Sequence, residues 1–293
     1  GNQGGYTCLF YDILFTICTI MRDKKVRYLL MKDVVSYYET YKEEDRLTTN
    51  NARKIEFVTT IRILDSIIGG NKNILDCAAG TGRYAFYFAD KGHKVTATDI
   101  TPRHIDYIRN ELENKHYSME SFVLDATDMT CFDDETFDVV LNMGPLYHLT
   151  EEGKRYQCFT ESLRVLKKGG LLVAAYIPRL YLNQMIAMSD IKYLDMEFLN
   201  QIKDTGILKH EDPKCFWTDT YYSSYEDMEE LFRKHAIKTV KHFAQDGLLP
   251  MLKKKADQWN DEQFKIWCDY HCSVCEEKSI IGMSNHVVIV GRK

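Results

Sequence analysis

An α/β chain with a doubly wound sheet is predicted from three observations. The apolar run Asn73-Ile-Leu-Asp-Cys77 passes into the small residues Ala78-Ala-Gly-Thr-Gly82. Apolar strands and helical stretches then alternate as far as Ile177, which is the pattern of a mainly parallel sheet covered by helices. Four expected strand ends carry Asp76, Asp99, Asp125 and Asn142 in order. A strand that ends in small residues before a helix lets a ligand lie against bare backbone, so the carboxyl edge of this sheet is expected to bind a cofactor.

The elements follow in order. Residues 34–44 and 51–68 read as helices, the second with Ile55, Val58, Ile61, Leu64 and Ile68 on one face. Strand 73–77, helix 82–91, strand 94–99, helix 102–114, strands 121–125 and 137–142, helix 152–167 and strand 171–177 make the alternating core. Helix 223–235, strand 238–245 and His286-Val-Val-Ile-Val290 complete the chain. Right-handed crossovers put the carboxyl ends of the parallel strands on one edge. Segments 178–222 and 247–285 are left over as insertions beside that edge.

Composition agrees. With 293 residues, 45% hydrophobic and 12% aromatic, the chain can bury a large core. Five prolines and no serine- or glycine-rich run leave no linker to divide it. A net charge of −5 argues against a broad nucleic-acid footprint. Nine cysteines, an odd number, form no disulfide framework and point to reduced thiols in the cytoplasm. Residues 6–20 are apolar but too short for a membrane span and lack a basic leader. Residues 1–20 are therefore expected to be a leader from an early start or an expression remnant, with no function attached.

The glycine turn alone does not choose the cofactor, because dinucleotide enzymes carry a similar turn. Asp99, ending the second strand, can accept both hydroxyls of a ribose. The series from Asn73 to Ile177 resembles the class I S-adenosylmethionine-dependent methyltransferases of the small Rossmann-like type. The family's first motif is D-x-G-x-G-x-G, and here it reads Asp76-Cys-Ala78-Ala-Gly80-Thr-Gly82, with Ala78 in place of the first glycine. Phe132-Asp-Asp-Glu-Thr-Phe-Asp138 and Glu161-Ser-Leu-Arg164-Val-Leu-Lys-Lys-Gly169-Gly170 continue the match, and bacterial members share Gly144-Pro-Leu-Tyr147-His148-Leu149. The resemblance implies a seven-stranded sheet with an antiparallel last strand, and S-adenosyl-L-methionine as cofactor. The expected organisation is then a helical cover over 21–72, a cofactor-binding core over 73–177, a lid insertion at 178–222, and the end of the sheet over 223–293 with a helical lid insertion at 247–285.

For the site, the resemblance implies that Asp76 with Ala78, Gly80 and Gly82 shapes the turn and meets the methionine amino group. It places Asp99 and Ile100 at the ribose, Asp125 and Ala126 at the adenine, and Asn142 and Gly144 beside the sulfonium. Tyr38 and Arg46 are expected to close over the methionine carboxylate, although a solvated helix face would use the same residues. Tyr147 and His148 are the expected catalytic pair, placed to orient an acceptor or take its proton. A loop-fixing histidine is the plainer role, because a sulfonium is already electrophilic and alignment alone supplies much of the rate. Cys268, His271, Cys272 and Cys275 share helical faces, but a zinc site needs a second ligand pair, so core thiols and no metal are expected. Aromatic residues at Phe216, Trp217, Tyr221 and Tyr222, and at Trp267 and Tyr270, fit either a lid or ordinary packing.

These residues predict a methyltransferase for a small aromatic or amphipathic metabolite. An RNA or protein methyltransferase is the alternative within enzymes and would need a basic rim. A silent S-adenosylmethionine-binding module is the alternative outside them.

Overall fold

The computed structural model describes residues 33–44 and 46–293. The leader reading for residues 1–20 lies outside them. The core runs β1 (Asn73–Cys77), α3 (Arg83–Asp90), β2 (Lys94–Asp99), α4 (Pro102–Leu112), β3 (Met119–Val123), β4 (Phe137–Asn142), α5 (Pro145–His148), α6 (Glu152–Val165) and β5 (Leu166–Tyr176). It is preceded by α1 (Val34–Tyr38) and α2 (Asn51–Asp65). After it come α7 (Arg179–Ser189), α8 (Met196–Thr205), β6 (Ile207–Leu208), β7 (Thr220–Tyr221), α9 (Tyr225–Lys234), β8 (Lys238–Ala244), α10 (Lys253–Ala256), α11 (Asp261–Val274), α12 (Lys278–Ile281) and β9 (Val287–Arg292).

Seven strands form one sheet in the order β3-β2-β1-β4-β5-β9-β8, and β6 and β7 form a separate two-stranded ribbon. Strands β1 to β5 pair in parallel, while β9 runs antiparallel to both β5 and β8. The expected seven-stranded sheet with its reversed last strand is therefore present. Strands β1, β4, β5 and β9 are almost wholly buried, as near-continuous apolar runs with helices on both faces should be. A second interior, walled by Leu182, Ile186, Tyr193, Phe198, Ile202 and Tyr222, lies within the segment after β5.

Three elements depart from the sequence reading. The first helix stops at Tyr38 instead of Glu44: Arg103 of α4 donates to the carbonyls of Tyr38 (3.4 Å) and Tyr41 (2.6 Å) and pairs with Glu44, so an outside cation satisfies acceptors at this helix end. The third strand is displaced, ending at Val123. Asp125 lies beyond it because its carboxylate takes the Thr127 N–H at 2.8 Å, a local turn that competes with the ladder. Strand β5 begins at Leu166, earlier than expected, across a register irregularity beside Phe137 and Val139 of β4.

The turn after β1 explains the family's glycine motif in this chain. Ala78, Gly80 and Gly82 all take left-handed backbone, with φ of 59°, 56° and 82°. A side chain at Gly82 would press on Ile108 at 3.0 Å, whereas Ala78 occupies its left-handed position with a methyl group in place. Left-handed backbone costs a non-glycine residue about 1–2 kcal/mol, partly balanced by the greater unfolded entropy of glycine. Ala78→Gly should therefore raise stability by roughly 0.5–1 kcal/mol in denaturant unfolding while leaving S-adenosylhomocysteine affinity unchanged.

Candidate active site

The carboxyl edge of the sheet gathers the glycine turn, the β2 end and the start of α5. Asp76 is buried, and burial pushes its carboxyl up to about 7; the N–H of Ala85 lowers it and the nearby Asp99 charge raises it further. Its Oδ2 is shut from solvent with no partner. Because Ala85 lies in the first turn of α3, Asp76 caps that helix with one oxygen and offers the other to a ligand.

Asp99 ties the turn to the second strand. Its Oδ2 accepts the Gly80 N–H and its Oδ1 the Thr101 N–H, both at 2.8 Å. His104, which the sequence reading passed over, places Nδ1 3.3 Å from the same Oδ1. Burial would raise the Asp99 pKa, but His104 and the two N–H groups hold it below the ordinary value, so it stays a carboxylate. Ile100 is 39% exposed beside it. Further along the edge, the Asp125 Oδ1 is taken by the Thr127 backbone and hydroxyl, and Ala126 is half-buried.

Asn142 requires a correction. Its side chain is fully buried and turned under the sheet, with its amide donating to Ser162 Oγ at 3.1 Å and lying 3.3 Å from Cys158 Sγ. Only its backbone faces the edge. Gly144 caps α5, and a Cβ there would lie 3.7 Å from Ala78 and 3.8 Å from the Tyr147 hydroxyl. Those are ordinary contacts, so the protein's own packing does not demand the glycine.

Arg46 and Tyr38 also sit otherwise than expected. The Arg46 guanidinium is bidentate on Glu56, at 2.8 and 3.1 Å, and donates from Nε to Glu43 at 2.6 Å. Two carboxylates of the protein thus take three of its five N–H donors. The Tyr38 hydroxyl meets Nε2 of His148 at 3.2 Å.

His148 has a partner at each ring nitrogen. Its Nδ1 lies 3.0 Å from the carbonyl oxygen of Asp219, which can only accept, so Nδ1 carries the proton and Nε2 accepts from Tyr38. Burial pushes the ring down to about 4, against the raising effect of Asp219. The imidazole is neutral near pH 7 and has no free lone pair. It joins α1, α5 and the β7 region, with Trp217 edge-on at 4.9 Å between ring centres.

Next to these residues opens a cavity of about 210 Å³. Tyr37, Tyr38, Tyr41, Tyr147, Phe216, Trp217 and Tyr222 line it together with Leu182, Met185 and Ile186. Arg46, Glu56, Asp246 and His286 complete the polar part of the wall. It adjoins the glycine turn through Tyr147 and through Glu43, whose Cγ lies 3.4 Å from where a Gly80 Cβ would stand. Both insertions supply wall residues. Of the aromatic candidates, Phe216, Trp217 and Tyr222 reach the cavity. Tyr221 instead packs under Arg155, whose guanidinium lies 3.6 Å from the ring centre. Trp267 stacks against Trp259, and Tyr270 is exposed. Among the cysteine-rich residues, Cys268 and Cys275 are buried thiols and His271 bonds the Ala244 carbonyl. The sequence reading did not place Glu56, Asp246 or His286 in the site. Their one local signal is a polar residue just past a strand end, at Asp246, and another just before a strand start, at His286.

The turn, the sheet order and this edge define a class I S-adenosylmethionine-dependent methyltransferase fold. The methyltransferase domain family matches residues 74–170, so this segment is a domain of that family, and S-adenosylmethionine is the cofactor of the class. A demethylmenaquinone methyltransferase of Clavibacter sepedonicus is 36% identical over 40% of this chain and 44% of its own length. The chain spans less than half the length of the first curated relatives it matches. An S-adenosylmethionine-dependent methyltransferase from Methanosarcina mazei superposes with a TM-score of 0.55 at 19% identity, over 79% of this chain and 96% of that one. A Burkholderia thailandensis 1,6-didemethyltoxoflavin-N1-methyltransferase, solved with that compound and S-adenosylhomocysteine, gives 0.54 at 13% identity over 100% and 92%.

Burial without charge ties His148 to folding stability. The unfolded imidazole takes up a proton near pH 6.5 and the folded one only near 4, so its contribution is complete above about 6.5 and is lost as pH falls through 4. Unfolding measured from pH 7.5 to 4 should show a loss on the order of 2 kcal/mol that is absent from His148→Asn. At pH 7.5 that variant should be destabilised by about 1–2 kcal/mol, because it leaves the Tyr38 hydroxyl or the Asp219 carbonyl unpaired.

Proposed function

We propose that this protein transfers a methyl group from S-adenosylmethionine to a small, flat, aromatic or amphipathic metabolite held in the cavity beside the glycine turn. The observation that carries the reading is the cavity itself: aromatic walls of about 210 Å³ meeting the turn through Tyr147 and Glu43. An apolar cavity of about 150 Å³ is enough for benzene, so this one suits a body of one or two rings.

The residues present fit the cofactor. The orphaned Asp76 Oδ2 suits an ammonium, which would neutralise a carboxylate that the protein leaves unpaired. The Asp99 Oδ1 faces the Thr101 N–H and His104, whereas Oδ2 accepts only the Gly80 N–H, and a carboxylate oxygen takes about two hydrogen bonds, so Oδ2 remains open to a ribose hydroxyl. The Asp125 carboxylate and exposed Ile100 suit the adenine amino group and face. When bound, S-adenosylmethionine supplies an electrophilic methyl group. The chain then has to align an acceptor and exclude water, and both insertions have residues in the cavity wall for that purpose. Among the described residues, no helix is long and apolar enough to cross a membrane.

Two calorimetric titrations with S-adenosylhomocysteine test the cofactor half. Asp99→Asn should weaken binding by about 2 kcal/mol, near 30-fold, and wild-type affinity in that variant removes Asp99 from the site. Wild-type affinity should also fall as pH drops below about 7, by up to tenfold per unit, because the ligand ammonium binds the ionised form of Asp76 and that carboxyl protonates near 7 in the free protein. Asp76→Asn should flatten the dependence. Affinity independent of pH in the wild type would show that Asp76 does not meet the amino group. Formation of S-adenosylhomocysteine from S-adenosylmethionine in the presence of a pool of phenolic and quinol metabolites tests transfer itself, and binding without turnover on the pool supports a silent module.

A further inference from the structure

The polar part of the cavity wall holds an aspartate–histidine pair that the family motifs do not include. Asp246 lies two residues past the end of β8 and His286 one residue before β9, so the antiparallel pairing of Ala244 with Val287 brings them together. Asp246 is 3% exposed and completely engaged. Its Oδ1 accepts from Ser284 Oγ, Asn285 N and His286 N at 2.8 to 3.0 Å, and its Oδ2 lies 2.9 Å from His286 Nδ1. The Asn285 amide nitrogen also lies 3.1 Å from Nδ1, but two carboxylates, Asp246 at 2.9 Å and Glu56 at 3.5 Å, face that atom, so Nδ1 carries the ring proton and Nε2 holds a lone pair. No hydrogen bond among the described residues occupies Nε2, and the side chain is 17% exposed where it lines the cavity. Glu56 Oε2 stands 3.5 Å from the same Nδ1, itself gripped by Arg46.

We propose that His286, oriented by Asp246, is the general base of the site, and that the acceptor is an ionisable hydroxyl on an aromatic or enolic ring. The reading rests on the proposed methyl transfer and names its acceptor class. As the acceptor oxygen forms its bond to the methyl carbon, its O–H bond breaks toward Nε2. The carbon–sulfur bond breaks with its electron pair going to sulfur, which becomes a neutral thioether. The imidazolium that forms lies between two carboxylates and returns its proton to water when the product leaves. An acceptor that must lose a proton matches an anchored base with a free lone pair, which His148 lacks.

The groups around the ring agree. Burial pulls the His286 pKa down, but Glu56 from α2 and Asp246 from the β8 loop more than offset it against Arg46, leaving it above the ordinary histidine value. Lys253 of α10, Arg53 of α2 and Tyr147 of α5 also face the cavity. The base form should therefore dominate only above the ordinary histidine range, and the rate should rise with pH there. A divalent cation could be held by Glu56, Asp246 and His286, whose ligand atoms lie within 4.8 Å of one another. The Arg46 cation already bound to Glu56 opposes it.

The test uses the whole chain and does not depend on turnover. Nitrogen-15 spectra should show His286 as the Nδ1-protonated tautomer at high pH, titrating above the ordinary histidine range, with a drop of at least one pH unit in Asp246→Asn. 4-Nitrophenol, whose absorbance reports its own ionisation, should bind the wild type as phenolate at a pH where the free compound is mostly phenol. It should bind His286→Gln as phenol, with 4-nitroanisole as the control that has no proton to lose. An Nε2-protonated tautomer, a bound probe that stays neutral in the wild type, or no binding of the probe overturns the proposal. Calorimetric binding of Zn²⁺ or Mn²⁺ that is lost in His286→Gln overturns it in favour of a metal site. S-adenosylhomocysteine titrated into the same variants separates the two readings. Binding retained with the phenolate signal lost supports both, whereas binding absent from the wild type fells the transfer reading whatever the nitrophenol shows.

Discussion

The reversed last strand is the constraint on which the site depends. Parallel strands deliver only their carboxyl ends to the cofactor edge, and each therefore brings the loop that follows it: the glycine turn after β1, Ile100 after β2, the α5 turn after β4. Strand β9 runs the other way between β5 and β8, so it brings the residues that precede it, and its partner β8 brings those that follow. Two segments far apart in sequence therefore close one wall of the cavity. The pairing is well secured, since Val287, Val288, Ile289 and Val290 are completely buried.

Electrostatics then divides the edge in two. On the side of the glycine turn, a carboxyl buried without a full set of partners is left half-protonated near neutral pH, and its neighbour Asp99 is kept ionised by N–H groups and His104. On the far side, acids are matched: Glu56 by Arg46, Asp246 by serine, asparagine and histidine donors. Unmet demand at one pole and satisfied demand at the other is what separates a place that awaits a charged ligand from a place built to hold a side chain still.

Most of the sheet and the turn after β1 were legible in the sequence, because they are written in local patterns. A strand, an acid and a glycine turn are contiguous, and the left-handed residues announce themselves as Gly80 and Gly82. Asn142 misled because a strand-end residue can face either side of the sheet, and only the packing of Ser162 and Cys158 beneath β4 settled which. His148 misled because the carbonyl that fixes its tautomer belongs to Asp219. Asp246 and His286 were invisible for the same reason on a larger scale: neither sits in a motif, and their meeting is a property of strand pairing rather than of spacing. The length of the first helix was missed because its end is set by Arg103, a cation from another element.

The second apolar interior, in the segment after β5, has a consequence for how such a protein changes over time. Phe216 and Tyr222 face the acceptor cavity and at the same time belong to a side-chain cluster distinct from the one that buries the sheet. A volume change there is absorbed among Leu182, Ile186, Tyr193 and Phe198 and need not be transmitted to β1 or the glycine turn. The cavity can thus be resized by drift in one module, while the glycine turn stays under unchanged selection.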